Sequence, residues 1–202
     1  MIISIGRASG LGRLLFYIKR GLVGLLLWGV AIVPAVNGQP LPESIWPLLN
    51  QAEGILTASP KGHDIQVVFD PNCPYSAVHY QKIRSAFSNL AMRWVPVAYY
   101  KDDSDVLAAS LLAAKNPSAA LARNFQGYDI KNQHGAWPVS DVVSELSIYQ
   151  KKLQKDWEEW AGATPVTLVR NSNGQVKMFF GAIHSAQREA EFKRFLQENG
   201  YN

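Results

Sequence analysis

The chain carries a single cysteine, Cys73, inside Asp70-Pro71-Asn72-Cys73-Pro74-Tyr75-Ser76. A cysteine sulfur attacks disulfides and sulfenic acids, and it does so as the thiolate. An apolar run, Val67-Val68-Phe69, ends just before this turn. Ala77 to Asn89 after it reads as a helix, with Val78, Ile83, Phe87 and Leu90 available for its buried side. Cys73 thus falls where a strand hands over to a helix N-terminus. Unpaired N–H groups and the helix dipole favour negative charge at such a place, and thiols there tend toward a lowered pKa. The competing reading is a buried structural thiol, because free cysteine packs as a small hydrophobe. Pro71, Asn72 and Pro74 are turn-forming residues, expected to hold the sulfur near the surface, and they favour the reactive reading.

One cysteine excludes an internal disulfide. One Cys and four scattered His residues build no spaced metal site, and no cofactor is expected. Lys and Arg number 20 against 16 Asp and Glu, a formal net charge of +4. Four of the basic residues, Arg7, Arg13, Lys19 and Arg20, lie in the first twenty positions, which hold no acidic residue. Gly21 to Pro42 is uncharged, and Leu22 to Val36 is strongly apolar. A basic stretch followed by an apolar one is the pattern of a secretory signal peptide, here with cleavage sites at Val36-Asn37-Gly38 or Val33-Pro34-Ala35. An uncleaved membrane anchor is the alternative, although the apolar core before Pro34 is short of the roughly 20 residues that a span needs. Without the leader the basic and acidic residues balance, so the charge gives no support to nucleic-acid binding. In an exported protein a leftover thiol is a liability unless it is used.

Leu41 to Ser59 reads as a helix, with Ile45, Leu48, Leu49, Ala52, Ile55 and Leu56 at helical spacing, broken at Pro60-Lys61-Gly62. Ile65 to Asp70 is a strand, a short apolar run of the kind found in a sheet covered on both faces. Ala91 to Tyr99 is the next strand, in which Pro96 belongs at a bulge or an edge. Strand, helix and strand at this spacing predict a parallel βαβ unit. Asp102 to Trp160 is mostly helical: Val106 to Ala114, then a helix capped by Ser118 and closed by Gly127, then Ser140 to Trp160 with Val143, Leu146, Leu153, Trp157 and Trp160 as its apolar stripe. Asn171-Ser172-Asn173-Gly174 turns a hairpin between Val166–Arg170 and Gln175–Phe180. Ala186 to Asn199 forms a terminal helix, with Phe192, Phe195 and Leu196 inward and Gly200 after its end.

Phe69 to Ser76 resembles the active-site segment of the periplasmic disulfide isomerases of the DsbC/DsbG family, and its DsbG branch above all, whose site reads Cys-Pro-Tyr-Cys. Leu107 to Pro117 and Thr164 before Pro165 are similar to that branch too. The resemblance implies an α/β thioredoxin fold, with a helical insertion between the βαβ unit and the C-terminal hairpin and helix. Residues 1–38 are then a signal peptide or N-terminal membrane anchor, 39–63 a linker helix, and 64–202 a thioredoxin-like domain with its insertion at about 102–161. The likeness covers about residues 41 to 200, the catalytic half alone; without the family's dimerisation domain a monomer is expected. It implies a periplasmic location and, as partners, envelope proteins with disulfides or with free or oxidised cysteines, and an external thiol reductant. It also implies a cis-proline at Pro165, turning the Thr164 backbone toward Cys73 to pair with an extended substrate.

The departure from the family is Ser76, which stands where the second cysteine belongs. A Cys-x-x-Cys pair attacks with one thiol and resolves with the other. Ser76 keeps the shape of the resolving position without its nucleophile, and its hydroxyl is placed to hydrogen-bond the Cys73 sulfur. Three activities survive: monothiol disulfide exchange or isomerisation, protection of thiols by attack on sulfenic acids, and a non-redox chaperone or assembly role in the peptide groove. Cys73 and Ser76 are the candidate catalytic residues, and Pro74, Tyr75, Thr164 and Pro165 the candidate substrate contacts. For Tyr75 plain packing is a near alternative. His79 is a candidate for tuning the thiolate, against a surface histidine; Asp70 for a proton relay, against a solvated strand end. Trp137, Trp157 and Trp160 form either a partner surface or, the favoured reading, packing within the insertion, and Glu158 and Glu159 a solvated helix face.

Overall fold

In a computed structural model the described residues are 41–42, 44–57, 64–139 and 145–201. The leader, the Pro60-Lys61-Gly62 break and Val143 lie outside them. Among the described residues five strands form one sheet in the order β1-β3-β2-β4-β5. They are β1 (Ile55–Leu56), β2 (Ile65–Phe69), β3 (Arg93–Pro96), β4 (Val166–Arg170) and β5 (Val176–Phe180). β2 and β3 run parallel around helix α2 (Pro74–Ala86), and the other pairs are antiparallel.

All five residues of β2 are buried. Successive strand side chains point to opposite faces. Val67 and Phe69 enter one core with Ala77, Tyr80 and Ile83 of α2, Trp94, and Phe192 of the terminal helix α6 (Ala186–Glu198). Val68 enters the other with Leu48 and Leu49 of α1 (Ile45–Gln51) and with Leu153 and Trp157 of α5 (Ile148–Trp160). Helices thus cover both faces, which is why Val67, Val68 and Phe69 are apolar without alternation.

The expected helix from Leu41 to Ser59 is cut short. α1 stops at Gln51, and Ile55 and Leu56 instead pair with Trp94 and Arg93 as an edge strand. Buried Arg93 takes up the released chain ends: it donates to the carbonyls of Leu49 (2.7 Å) and Ala52 and to Gln66 Oε1 (2.9 Å). Helical spacing in Ile55 and Leu56 could not reveal this distant cation. Pro96 closes β3 beyond the end of β1, and Gln150 Nε2 donates to its carbonyl (2.7 Å). Its missing N–H breaks no ladder bond, the edge placement its ring requires.

Helices α3 (Ser104–Leu112), α4 (Pro117–Gln126) and α5 separate β3 from β4. Asn116, not Ser118, caps α4, accepting from Ala119 N (3.1 Å) with Pro117 in the first turn. Of the stretch expected as one helix from Ser140, residues 140–144 lie outside the described residues; α5 begins at Ile148, where Ser147 Oγ accepts from Gln150 N (3.2 Å). The hairpin forms as expected: Asn171 Oδ1 accepts from Asn173 N and Gln175 N, and Gly174 takes φ +75°.

Candidate active site

Cys73 is the N-cap of α2, with φ −73° and ψ 122°, and Pro74 fills the first helical turn. Proline suits that place because its missing N–H has no helical partner to lose. The turn before it is built by Asp70. Asp70 Oδ1 accepts from Asn72 N and Ser104 Oγ (both 2.9 Å), and Oδ2 from Tyr99 N and Tyr100 N (both 2.9 Å). Burial raises the Asp70 pKa, against these four hydrogen bonds, which favour the charged form. Asp70 is therefore a clamp inside the protein. Its carboxylate oxygens serve the turn, the chain just after β3 and the start of α3, and the solvated strand-end aspartate is ruled out.

Asn72 is fully buried and saturated. Its amide nitrogen donates to Asp103 Oδ1 (2.9 Å) and Ser104 Oγ (3.2 Å), and its amide oxygen accepts from Gly135 N (3.0 Å). Tyr128 Oη donates to its main-chain carbonyl (2.7 Å), and Asn124 Nδ2 to that of Pro71 (3.0 Å). Gly135 is required there: a Cβ would lie 2.1 Å from Asn124 Oδ1.

This network overturns one expectation. Cys73 is 3% exposed, so the sulfur is not held out at the surface. Turn residues sit outside because their polar groups need water; here the insertion supplies protein partners for them, and the turn is buried. The sulfur faces the other side of the fold, where Cys73 Sγ donates to the Thr164 carbonyl at 3.5 Å. The Thr164–Pro165 bond is cis, as the resemblance implied. Pro165 is buried and its carbonyl accepts from Gly181 N (2.9 Å).

Tyr75 is 60% exposed beside the sulfur, which leaves packing as a poor account of it. Tyr99, Tyr100 and Tyr128 surround the site. Burial first, and then the neighbouring Cys73 and Asp70 side chains, raise the pKa of all three phenols, so they remain neutral. Ser76 is fully buried, and its Oγ has no hydrogen-bond partner; the expected bond to the sulfur is absent.

His79 is not on the surface. It is fully buried against Trp94 and Phe192, with Nε2 3.0 Å from Thr167 Oγ1. Burial, with Arg188 adding repulsion, pushes its pKa down to about 3, so it is neutral and offers no positive charge. Val78 of the same helix is exposed, against expectation. Trp157 is core, stacked edge-on with Trp160, and Trp137 donates from Nε1 to Ser110 Oγ (3.1 Å). These tryptophans pack the insertion.

No protein-family model matches the chain. A curated relative, the thiol:disulfide interchange protein DsbG of Pseudomonas aeruginosa, is 25% identical over 150 residues, 71% of this chain and 56% of that protein. The chain thus spans about half the length of the relative it matches. A disulfide interchange protein from Neisseria gonorrhoeae superposes with a TM-score of 0.50 at 14% identity, over 74% of this chain and 96% of that one. A periplasmic thioredoxin-like protein from Salmonella enterica serovar Typhimurium gives 0.51 at 19%, over 79% and 99%. The chain has the thioredoxin fold and is similar in sequence to DsbG. Among the described residues no three His, Cys, Asp or Glu side chains gather to hold a metal ion, and no helix is long and apolar enough to cross a membrane.

Sequence reasoning missed Asn72, Tyr99, Asp103, Ser104, Asn124, Tyr128 and Gly135 as parts of this site. The one local signal was Asp-Pro-Asn directly after an apolar strand: polar side chains that enter a core must find partners there.

Proposed function

We propose that the protein is an envelope monothiol thioredoxin-like protein, acting on disulfides or oxidised cysteines of other proteins through Cys73. The observation that carries the reading is the Cys73 sulfur at the N-cap of α2, 3.5 Å from the Thr164 carbonyl. An extended substrate chain pairing with the backbone at Thr164 is brought alongside the sulfur. Tyr75 and Pro74 on one side, and Thr164 and Pro165 on the other, are the contacts assigned to it.

The Cys73 thiolate attacks one sulfur of a substrate disulfide. A Cys73–substrate S–S bond forms, the substrate S–S bond breaks, and the departing thiolate takes a proton from solvent. A second substrate thiol then displaces Cys73, which completes an isomerisation without net oxidation. On a substrate sulfenic acid the same attack, with one proton, gives the mixed disulfide and water; an external thiol reductant then frees Cys73. Ser76 supplies no internal release, so the adduct waits for an outside thiol. The name of the periplasmic structural neighbour and the basic, apolar leader support a periplasmic location.

The test is incubation of the purified protein with an excess of a peptide disulfide, read by intact-mass spectrometry. One peptide should add at Cys73 and stay until an external thiol is supplied, and Cys73→Ala should give no adduct. An unmodified parent protein overturns the reading. The low exposure of Cys73 favours a second reading, a chaperone or assembly factor that uses the groove without thiol chemistry. In that case Cys73→Ala keeps full activity in suppressing aggregation of a reduced client.

A further inference from the structure

Asn72, next in sequence to the sulfur, has its side-chain amide and its main-chain carbonyl engaged by the insertion, by Asp103 and Ser104 at the start of α3, Tyr128, and Gly135, while its N–H donates to Asp70 Oδ1. The main chain of Asn72 leads straight into the N-cap, so its placement sets the direction in which Cys73 Sγ points. Held as it is, Sγ meets the Thr164 carbonyl 91 positions further on. We infer that Asn72 is the positioning residue of the nucleophile, with Asp103 as its anchor, and that the insertion serves to aim Cys73 at the Thr164 backbone. The inference rests on the thiol-exchange reading above.

The donor and acceptor pattern makes this testable by exchange. Asn72 Nδ2 donates to Asp103 Oδ1 at 2.9 Å, while Asp103 Oδ2 receives His134 Nε2 at 2.9 Å. In Asn72→Asp two carboxylates face each other at that spacing, and the turn must shift. Adding Asp103→Asn restores the bond in the opposite sense: the new amide nitrogen donates to residue 72, and the new amide oxygen still accepts from His134. The pair therefore distinguishes a specific hydrogen bond from general loss of packing.

The experiment measures two rates on the full chain for the parent, Asn72→Asp, Asp103→Asn and the double variant, with folding checked by circular dichroism. The first is mixed-disulfide formation with a peptide disulfide. The second is alkylation of Cys73 by iodoacetamide, which demands no particular biological role. Asn72→Asp should slow mixed-disulfide formation on the order of tenfold, because the attacking sulfur is misaimed. It should speed alkylation, because the sulfur is released from the Thr164 carbonyl. The double variant should return both rates to within about threefold of the parent. A general loosening moves both rates the same way and is not reversed by Asp103→Asn. The inference is overturned if Asn72→Asp leaves both rates at the parent level, or if the double variant stays as impaired as the single one. Should the parent react with iodoacetamide and never with the peptide disulfide, the exchange reading fails by itself, and the alkylation rates still decide the role of Asn72.

Discussion

Lowering the pH from about 8 to about 5 should cost the folded protein about 2 kcal/mol through His79 alone. The imidazole is fully buried, and its pKa falls from 6.5 to about 3. Above the unfolded value neither state binds the proton. Between the two values the unfolded chain binds it and the folded chain does not, so stability drops as pH falls. Below about 3 the loss is complete. Each pH unit under 6.5 costs about 1.4 kcal/mol, and pH 5 lies about 1.5 units below it. The effect bears on the site, because His79 joins α2, which carries Cys73, to Thr167 of β4, the strand that follows Pro165. Urea unfolding of the parent and of His79→Gln at both pH values measures it. The parent should lose about 2 kcal/mol more than the variant, and taking the difference cancels titrations common to both. Losses equal within about 0.5 kcal/mol would refute the picture of a neutral, buried imidazole.

Two substitutions address the site directly. Asp70→Asn keeps the shape but turns an N–H₂ group toward the Tyr99 and Tyr100 N–H donors, or toward Asn72 and Ser104. Stranding these buried donors should cost about 3 kcal/mol in urea unfolding, and a loss under about 1 kcal/mol contradicts the clamp. Ser76→Cys creates Cys-Pro-Tyr-Cys and exchanges a buried hydroxyl that has no partner to lose, so stability should stay within about 1 kcal/mol of the parent. Adducts at Cys73 should then decay without added thiol, leaving an internal disulfide visible as the loss of two hydrogens by mass; persistent adducts count against the geometry.

The sheet was legible because its strands are local signals: Val67-Val68-Phe69 and Trp94-Val95 are apolar on both faces, and Asn171 to Gly174 can be little but a turn. The pairing of Ile55 with Trp94 was not, since six apolar residues at helical spacing outweigh a two-residue edge strand until Arg93 is placed. The turn, the cysteine at the helix start and the facing Thr164 were readable, the last only through likeness to a known family. Burial of the sulfur was hidden. It depends on Asn124, Tyr128 and Gly135, which lie more than fifty positions away in an insertion whose loop has no periodic pattern. His79 misled for a related reason. A histidine on a helix reads as surface, and only the position of Thr167 shows which way it faces.

The cover over Cys73 has a timing as well as a shape. Every group that closes on the turn comes later in the chain, ending with Thr164. A polypeptide that emerges from its amino end therefore carries a naked thiol until β4 has been made and docked. Shielding of this sulfur therefore waits on a residue made 91 positions after it.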